Sequence, residues 1–238
     1  MMPRIVGAEV LDGLAADDLA AMRSRRDLRR VHRAMGTRSI VLRALRDSTV
    51  LRRKAAALRV LELGAGDGSL MLGVARELAP AWSRVDLTLL DRQSLVERAT
   101  IEGYAELGWT AVAEIADVHD WAEARLPARW DLIVANLFLH HFDAVQLRVL
   151  LAAVAARGDR FFACEPRRDW LALAGSHLVG AIGANAVTRE DAVLSVHAGF
   201  RANELTAAWP AQGGEWQLQE YSAGLFSHCF RAERVEAT

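Results

Sequence analysis

The chain has 238 residues, 52% of them hydrophobic and 25% charged, a composition typical of a globular protein with a substantial core. The formal net charge is −1, so bulk electrostatics argue against nucleic acid as a partner. The cysteines at positions 164 and 229 are too far apart in sequence for a zinc or disulfide motif, and no metal site is predicted. No apolar run reaches the roughly 18 residues of a membrane span and no signal peptide is recognisable, so a cytoplasmic location without membrane contact is expected.

Residues 1–57 have the pattern of a basic, helical N-terminal segment. After an irregular lead-in, a helix with an apolar stripe is predicted from residue 16 to a break at Gly36, and a second helix is predicted over residues 40–53. We expect this segment to form a helical cap on a larger domain, residues 58–238, with both parts in one compact unit.

Residues 59–70, which read RVLELGAGDGSL, predict a strand, a glycine turn and a helix in succession. The apolar run ends at Gly64, Gly66 and Gly68, and residues 69–78 continue with helical spacing. This succession is the first crossover of a nucleotide-binding α/β sheet. Glycine permits unusual backbone dihedrals there and lets the main chain approach a ligand, which the free N–H groups at the helix start also face.

The glycine spacing and one acidic residue indicate which ligand to expect. A dinucleotide site needs G-x-G-x-x-G, whereas the third glycine here comes one residue early. Glu62 precedes the turn; its carboxylate would repel phosphate but would suit a cofactor that carries an ammonium and a sulfonium. The string E-L-G-A-G-D-G resembles motif I of the class I S-adenosylmethionine-dependent methyltransferases. The resemblance implies S-adenosylmethionine as cofactor, bound near Glu62, Gly64, Ala65 and Gly66, and a NAD-dependent oxidoreductase is the alternative.

The second predicted strand, residues 85–91, ends in an acid, as ribose recognition requires. The carboxylate of Asp91 can accept hydrogen bonds from both ribose hydroxyls, and Arg92 and Gln93 are expected to flank the adenosine. The alternative role for Asp91 is to stabilise a turn or to cap a helix.

The third predicted strand, residues 110–117, also ends in an acid. In the methyltransferase family an acid at this place hydrogen-bonds the adenine amino group. That role is implied here for Asp117, with Val118 as a backbone contact to the adenine ring. Asp117 could instead cap the short helix that follows.

The basic N-terminal segment also has a counterpart in methyltransferases that resemble this chain, where a helical cap closes the substrate pocket. Arg38, directly after the first helix, could reach the carboxylate of the cofactor or could be a surface arginine. The arginines could alternatively bind RNA, although solvated helix faces account for most such runs.

The fourth predicted strand and its sequel lie within residues 130–142, which read WDLIVANLFLHHF. The apolar middle predicts a buried central strand, and ligands of α/β proteins bind at carboxyl ends of strands, so Asn136 and Leu137 should face the cofactor. The stretch resembles motif IV of small-molecule methyltransferases. It lacks the Asn-Pro-Pro-aromatic pattern of adenine and glutamine N-methyltransferases, which argues against DNA bases and protein glutamines as acceptors.

Two adjacent histidines follow this strand, and at most one of them should face the pocket. A pocket histidine could deprotonate a hydroxyl acceptor because its pKa lies close to working pH. His140 is the first choice as catalytic base because it lies nearer the strand end, and His141 is the second. Alternatively, one histidine caps the following helix and the other packs in the interior.

The resemblance places Glu165 on the substrate side of the site, where it could also pair with Arg167 or Arg168.

The C-terminal half carries a further resemblance. Residues 185–205 are similar to an insertion in bacterial methyltransferases found with polyketide and aromatic natural-product enzymes, where it forms the far wall of the acceptor pocket. This implies that Arg189 and His197 are wall residues, and residues 188–191 are expected to form a loop.

Residues 216–221 and 226–231 alternate apolar and polar side chains around a turn and resemble the last two strands of the methyltransferase sheet.

Together these patterns predict an α/β, Rossmann-like class I methyltransferase fold. The resemblance implies a seven-stranded, mostly parallel sheet of order 3-2-1-4-5-7-6 with helices on both faces, and an N-terminal helical cap is expected beside it. The implied activity is methyl transfer from S-adenosylmethionine to a small hydrophobic, aromatic or polyketide-type acceptor at oxygen, with S-adenosylhomocysteine as product. Carbon methylation of quinone type, a non-catalytic S-adenosylmethionine-binding protein and an RNA methyltransferase are the alternatives. The oligomeric state, monomer or homodimer, is open.

Overall fold

A seven-stranded sheet lies at the centre of the computed structural model, which describes residues 2–46, 56–124, 129–211 and 215–235. The strands are β1 (Leu58–Leu63), β2 (Val85–Asp91), β3 (Thr110–Ile115), β4 (Leu132–Asn136), β5 (Arg160–Pro166), β6 (Trp216–Ala223) and β7 (Ser227–Arg234). Their order is β3-β2-β1-β4-β5-β7-β6, which confirms the predicted order. Strands β1 to β5 are mutually parallel, and β7 runs antiparallel to both β5 and β6.

Helices cover both faces of the sheet. They are α1 (Leu19–Met35), α2 (Thr37–Arg46), α3 (Ser69–Leu78), α4 (Arg98–Ala105), α5 (Val118–Glu123), α6 (Ala144–Arg157), α7 (Trp170–His177), α8 (Ala186–Ala198) and α9 (Glu204–Ala208). One apolar core joins the sheet to α2, α3 and α4, and a second joins it to α5, α6 and α9. Val60 belongs to the first core and its neighbour Leu61 to the second, because successive strand residues face opposite sides. In the described ranges, no helix combines the length and apolarity needed to span a membrane.

Three helices, α1, α7 and α8, form a cap above the carboxyl ends of the parallel strands. Helix α1 is joined to α8 by the buried contact of Ser24 Oγ with Thr188 Oγ1 at 2.8 Å. The N-terminal segment, residues 2–13, crosses the same region and is held by α8. Asp191 Oδ1 accepts a hydrogen bond from the Val10 amide at 2.7 Å, and Asp191 Oδ2 accepts one from the Leu11 amide at 3.0 Å. The cap is therefore built from the N-terminal part of the chain and from helices α7 and α8, which follow β5.

The predicted break after the first helix is confirmed, since Gly36 ends α1 with a left-handed φ of 68°. The second helix, predicted over residues 40–53, begins at Thr37 and is described to Arg46; residues 47–53 lie outside the described residues. Val41 and Leu45 of this helix are buried in the sheet core rather than in the cap. The division into a cap of residues 1–57 and a domain of residues 58–238 stays a prediction.

The loop predicted over residues 188–191 is wrong, because these residues lie inside helix α8. The side chain of Asn185 caps the helix by accepting a hydrogen bond from the Thr188 amide at 2.8 Å, so the helix starts earlier than the polar sequence suggests. Thr188 and Asp191 are buried at the contacts of α8 with α1 and with the N-terminal segment. This burial favours a helix over a loop, although their polar side chains had indicated a surface turn.

Candidate functional site

A cavity of about 490 Å³ lies between the carboxyl ends of the strands and the cap. The strands contribute Glu62 from β1, Asp91 from β2 and Asn136 from β4 to its lining, as expected for a ligand site in a parallel α/β sheet. The cap contributes a mostly apolar wall. The apolar lining residues on the three cap helices include Leu28, Val31, Met35, Ala172, Ala192 and Val196, and the wall is extended by Leu178, Val179 and Ile182 after α7 and by Phe226 before β7. The cavity thus has a polar floor and an apolar roof.

The glycine turn forms one side of this floor, and its backbone explains why glycine is required. Gly64, Gly66 and Gly68 all have left-handed φ values, of 68°, 57° and 70°. A Cβ atom at Gly64 would also lie 2.2 Å from Cδ2 of Phe138, which is far inside van der Waals contact. Three of the predicted cofactor residues, Gly64, Ala65 and Gly66, line the cavity along this turn.

Asp91 holds the glycine turn in place from the neighbouring strand. Its Oδ2 accepts a hydrogen bond from the Gly66 amide at 2.8 Å, and its Oδ1 accepts one from the Gln93 amide at 2.9 Å. This is the turn-stabilising role left open from the sequence. Each oxygen still has acceptor capacity, and the side chain lines the cavity, so the ribose role stays a prediction compatible with it.

Arg92 and Gln93 also line the cavity, and both tie the sheet to the cap. An Arg92 Nη donates to the backbone carbonyl of Asp12 at 2.6 Å. The side-chain oxygen of Gln93 accepts a hydrogen bond from Arg25 of α1 at 2.9 Å. The two residues predicted to flank the adenosine therefore also connect the sheet to the N-terminal segment and to α1 by hydrogen bonds.

Glu62 and Asn136 form an incompletely satisfied polar pair at the cavity floor. Both side chains are buried, and Asn136 Nδ2 donates to Glu62 Oε1 at 3.4 Å, which is long for a hydrogen bond. Among the described residues, Glu62 Oε2 and Asn136 Oδ1 have no hydrogen-bond partner. Burial, opposed by the hydrogen bond from Asn136, raises the pKa of Glu62 to about 8. Two orphaned oxygens and a destabilised carboxylate are what a bound cationic group would satisfy.

His140 lies at the opposite end of the polar floor, between two carboxylates. Its Nδ1 contacts Glu165 Oε2 at 2.8 Å and its Nε2 contacts Glu9 Oε1 at 3.3 Å. Burial lowers the pKa of His140, but the hydrogen bonds to Glu165 and Glu9 outweigh it and raise the pKa to about 9. The pKa of Glu9 falls to about 2, because the hydrogen bond and charge of His140 outweigh the effect of burial.

Glu165 is the anchor of this end of the site. It is fully buried, and its Oε1 accepts hydrogen bonds from the amides of Phe138 and Leu139 at 3.0 and 2.9 Å. Glu165 therefore pairs with His140, whereas the two arginines considered as its partners from the sequence pair elsewhere, Arg167 with Asp169 and Arg168 with Glu204.

His141 also lines the cavity, contrary to the expectation that at most one histidine would face it. The two rings lie 4.3 Å apart between centroids with a tilt of 32°. The short 3₁₀ turn Leu139–His141, held by Glu165, places them side by side. His141 Nδ1 contacts Asp12 Oδ2 at 3.3 Å, and burial together with the neighbouring His140 lowers its pKa.

Three predicted cofactor residues lie outside the cavity lining. Asp117 is exposed and caps α5 by accepting a hydrogen bond from the His119 amide at 2.8 Å, which is its alternative role. Val118, the first residue of α5, is buried in the core between this helix and the sheet. Arg38 is exposed, and its side chain packs against Gly73 of α3. Their cofactor contacts stay predictions.

Helix α8 does form a wall of the cavity, but through residues other than those predicted. Thr188, Asp191, Ala192, Ser195 and Val196 line the cavity at helical spacing. The predicted wall residues Arg189 and His197 lie on other faces of the helix, outside this lining. The sequence pattern identified residues 185–205 as a wall of the cavity. Because residues 188–191 were predicted to form a loop, the helix face that lines the cavity could not be predicted.

Glu9 and Asp12 of the N-terminal segment are the functional candidates that sequence reasoning missed. Both line the cavity and contact the two histidines, and the Ser195 hydroxyl donates to Glu9 Oε1. Residues 1–15 carry no periodicity, so their position over the site follows from tertiary contacts alone.

The sheet order, the antiparallel β7, the glycine turn and the strand-end acids together define the class I methyltransferase fold. No protein-family model matches the sequence, and no curated protein is similar to it in sequence. Solved methyltransferase structures nevertheless match most of the chain.

One similar structure is the plantazolicin methyltransferase BpumL in complex with a monoazolic desmethylPZN analogue and S-adenosylhomocysteine. It has a TM-score of 0.61 and 13% identity over 89% of this chain and 90% of its own. An O-methyltransferase family protein from Burkholderia thailandensis has a TM-score of 0.63 and 16% identity over 97% of this chain, which spans only 64% of that protein. The magnesium protoporphyrin IX methyltransferase ChlM of Synechocystis PCC 6803, with bound S-adenosylmethionine, has a TM-score of 0.52 and 14% identity over 95% of this chain and 88% of its own. At these identities the similarity establishes the fold.

Proposed function

We propose that the protein is an S-adenosylmethionine-dependent methyltransferase that acts on a small, mostly apolar acceptor at an oxygen atom. The observation that carries the proposal is the Glu62–Asn136 pair under the glycine turn. The pair has two orphaned buried oxygens, and both residues line the cavity at the strand ends. A carboxylate there favours an ammonium or sulfonium over a phosphate. The methyltransferase fold of the chain and its similarity to structures with bound S-adenosylmethionine or S-adenosylhomocysteine support this choice.

The residues at the strand ends fit the parts of this cofactor. Glu62 and Asn136 would hold its positive end, and the glycine turn allows the main chain to approach it closely. Asp91 would accept hydrogen bonds from the ribose with its remaining lone pairs. When bound, the cofactor supplies an activated methyl group, and the task left to the protein is to align an acceptor atom with it.

The apolar cap and the histidine end of the cavity indicate the acceptor. The roof offers burial to an aromatic or aliphatic body, while the polar groups concentrate at His140 and His141. An acceptor hydroxyl that displaces Glu9 would meet Nε2 of His140. Loss of the Glu9 contact removes one of the two carboxylates that raise the pKa of His140, so Nε2 can release its proton to solvent. The neutral ring can then take the proton of the acceptor hydroxyl as base, and Glu165 on Nδ1 would stabilise the resulting imidazolium. O-methyltransferases and a carbon methyltransferase occur among the similar structures. A histidine that can deprotonate an acceptor hydroxyl favours methylation at oxygen over methylation at carbon.

Isothermal titration of the full chain with S-adenosylmethionine and with NADH tests the cofactor. We expect binding of S-adenosylmethionine and not of NADH. Asp91→Ala should weaken the binding of S-adenosylmethionine by about 10-fold or more, through loss of the ribose hydrogen bonds and of the contact that holds the Gly66 amide. Asp86→Ala is the matched control, because Asp86 lies on the same strand at its exposed, opposite end and should leave affinity unchanged. Tight NADH binding alone, or equal effects of the two variants, would contradict the assignment.

A mass-spectrometric screen of phenolic and other hydroxylated apolar compounds tests the reaction. We expect a mass gain of one methyl group on an oxygen and formation of S-adenosylhomocysteine. Cofactor binding without product from any acceptor would instead identify a non-catalytic S-adenosylmethionine-binding protein. Methylation of tRNA or rRNA would identify the RNA alternative.

A further inference from the structure

We propose that Glu9, His140 and His141 form a binding site for one divalent transition-metal ion, Zn²⁺ or Fe²⁺ in class, at the acceptor end of the cavity. Each of these residues offers one ligand atom, and the three atoms all lie within 4.8 Å of one another. Two imidazoles and a carboxylate are a ligand set typical of such ions.

The distance between His140 and Glu9 fits two ligands of one metal ion better than a strong ion pair. The distance from Nε2 to Oε1 is 3.3 Å, whereas a charge-assisted N–H···O bond is about 2.7–2.9 Å long. Metal–ligand bonds of about 2.0–2.2 Å in a tetrahedron place neighbouring ligand atoms about 3.3–3.6 Å apart. Two of the three ligand atoms are therefore already at the spacing that a bound ion would impose. A metal ion there would displace the proton that the two groups share.

Each of the three side chains is also oriented by a second group, which an accidental cluster would not require. His140 Nδ1 contacts Glu165 at 2.8 Å, His141 Nδ1 contacts Asp12 at 3.3 Å, and Glu9 accepts the hydroxyl proton of Ser195. Carboxylate partners on the far nitrogen of a histidine fix its tautomer and orientation in metal sites.

The chemistry of the donors selects the class of ion. Mg²⁺ and Ca²⁺ prefer six or more oxygen ligands, and imidazole favours borderline ions such as Zn²⁺, Fe²⁺ and Co²⁺. With three protein ligands, a fourth position is left toward the cavity, where a water molecule or the acceptor oxygen could bind. A metal ion lowers the pKa of an oxygen that it binds, so an occupied site would take over the deprotonation assigned above to His140.

Titration of tag-free, chelator-stripped protein with Co²⁺, followed by visible absorption, tests the site without cofactor or acceptor. We expect one Co²⁺ per chain with the intense bands of a low-coordinate site, and displacement by one equivalent of Zn²⁺. His141→Ala and Glu9→Gln should each weaken Co²⁺ binding more than 10-fold. Asp12→Asn, which only removes an orienting partner, should weaken it by about 10-fold and leave the bands in place.

His177→Ala is the matched control, because His177 is exposed at the end of α7 and should contribute nothing. Circular dichroism checks that each variant is folded. Wild-type protein that gives no Co²⁺ bands, or folded His141→Ala and Glu9→Gln variants that bind Co²⁺ as tightly as His177→Ala, would overturn the proposal. Because the titration contains no S-adenosylmethionine, its failure and the failure of the proposed methyl transfer are separate results.

Discussion

At the scale of single residues, Glu62 combines a cost in stability with a role in binding. It sits in a buried strand with one oxygen unpaired, and the folded protein holds a proton there with a pKa of about 8. Burial without compensation is tolerable where a ligand later supplies the missing charge, and functional sites are where such shifts concentrate. Its place before the glycine turn was apparent from the sequence, but its burial and its pairing with Asn136 were not, because they depend on β1 and β4 being neighbours.

We expect Glu62→Gln to stabilise the protein increasingly as pH rises from about 4.5 to about 8. In this window the folded wild type binds more protons at position 62 than the unfolded chain, so its free energy of unfolding falls with pH. The variant has no such titration, and the difference should reach a few kcal/mol above pH 8, at about 1.4 kcal/mol per pKa unit. Urea denaturation of both proteins from pH 5 to 9 measures it.

A difference in unfolding free energy that does not change with pH would contradict this account. The same variant should bind S-adenosylmethionine more weakly, so added stability and lost affinity go together. Binding to the wild type at pH 7 should release a proton, which calorimetry in two buffers of different ionisation enthalpy detects.

At the scale of elements, the turn between β1 and α3 shows how two neighbouring glycines differ. Both are left-handed, but the space around them is not the same. Phe138, from the segment after β4, fills the position that a side chain at Gly64 would need, whereas nothing lies within 4 Å of a Cβ at Gly66. The glycine pattern predicted a turn from sequence, and only the packing of a distant segment shows which glycine is sterically irreplaceable.

We expect Gly64→Ala to destabilise the protein by clearly more than Gly66→Ala. The second substitution should cost about 1–2 kcal/mol of left-handed strain, and the first adds a clash with Phe138 of about 1–3 kcal/mol. Chemical denaturation of the two variants makes the comparison. Equal losses of stability would show that Phe138 moves aside freely.

At the scale of the whole molecule, the site is completed by parts of the chain that are far apart in sequence. Asp191 of α8 accepts hydrogen bonds from the amides of Val10 and Leu11, which are about 180 positions earlier. This clamp brings Glu9 and Asp12 against the histidines that follow β4. Together with the contacts of Arg92 with Asp12 and of Ser195 with Glu9, the clamp holds both carboxylates at the acceptor end of the cavity.

We expect Asp191→Ala to release the N-terminal segment while the sheet stays intact. Hydrogen exchange should become faster at the amides of Val10 and Leu11, because both lose a charged acceptor, and should be unchanged in β1 and β4. Asp143→Ala, which removes a surface helix cap instead, is the control and should leave both amides protected. Unchanged protection at Val10 and Leu11 in Asp191→Ala would mean that other contacts hold the segment.

The sequence by itself determined the strands and the glycine turn with its flanking acids, because each rests on local periodicity or on a short motif, and the resemblance of these motifs to a known family implied the strand order. It also located α8 as a wall of the cavity, while the inward face of that helix was misjudged. Only the tertiary structure decided that both histidines face the cavity and that Glu9 and Asp12 reach them. These features depend on contacts between residues far apart in the chain, on which local patterns carry no information.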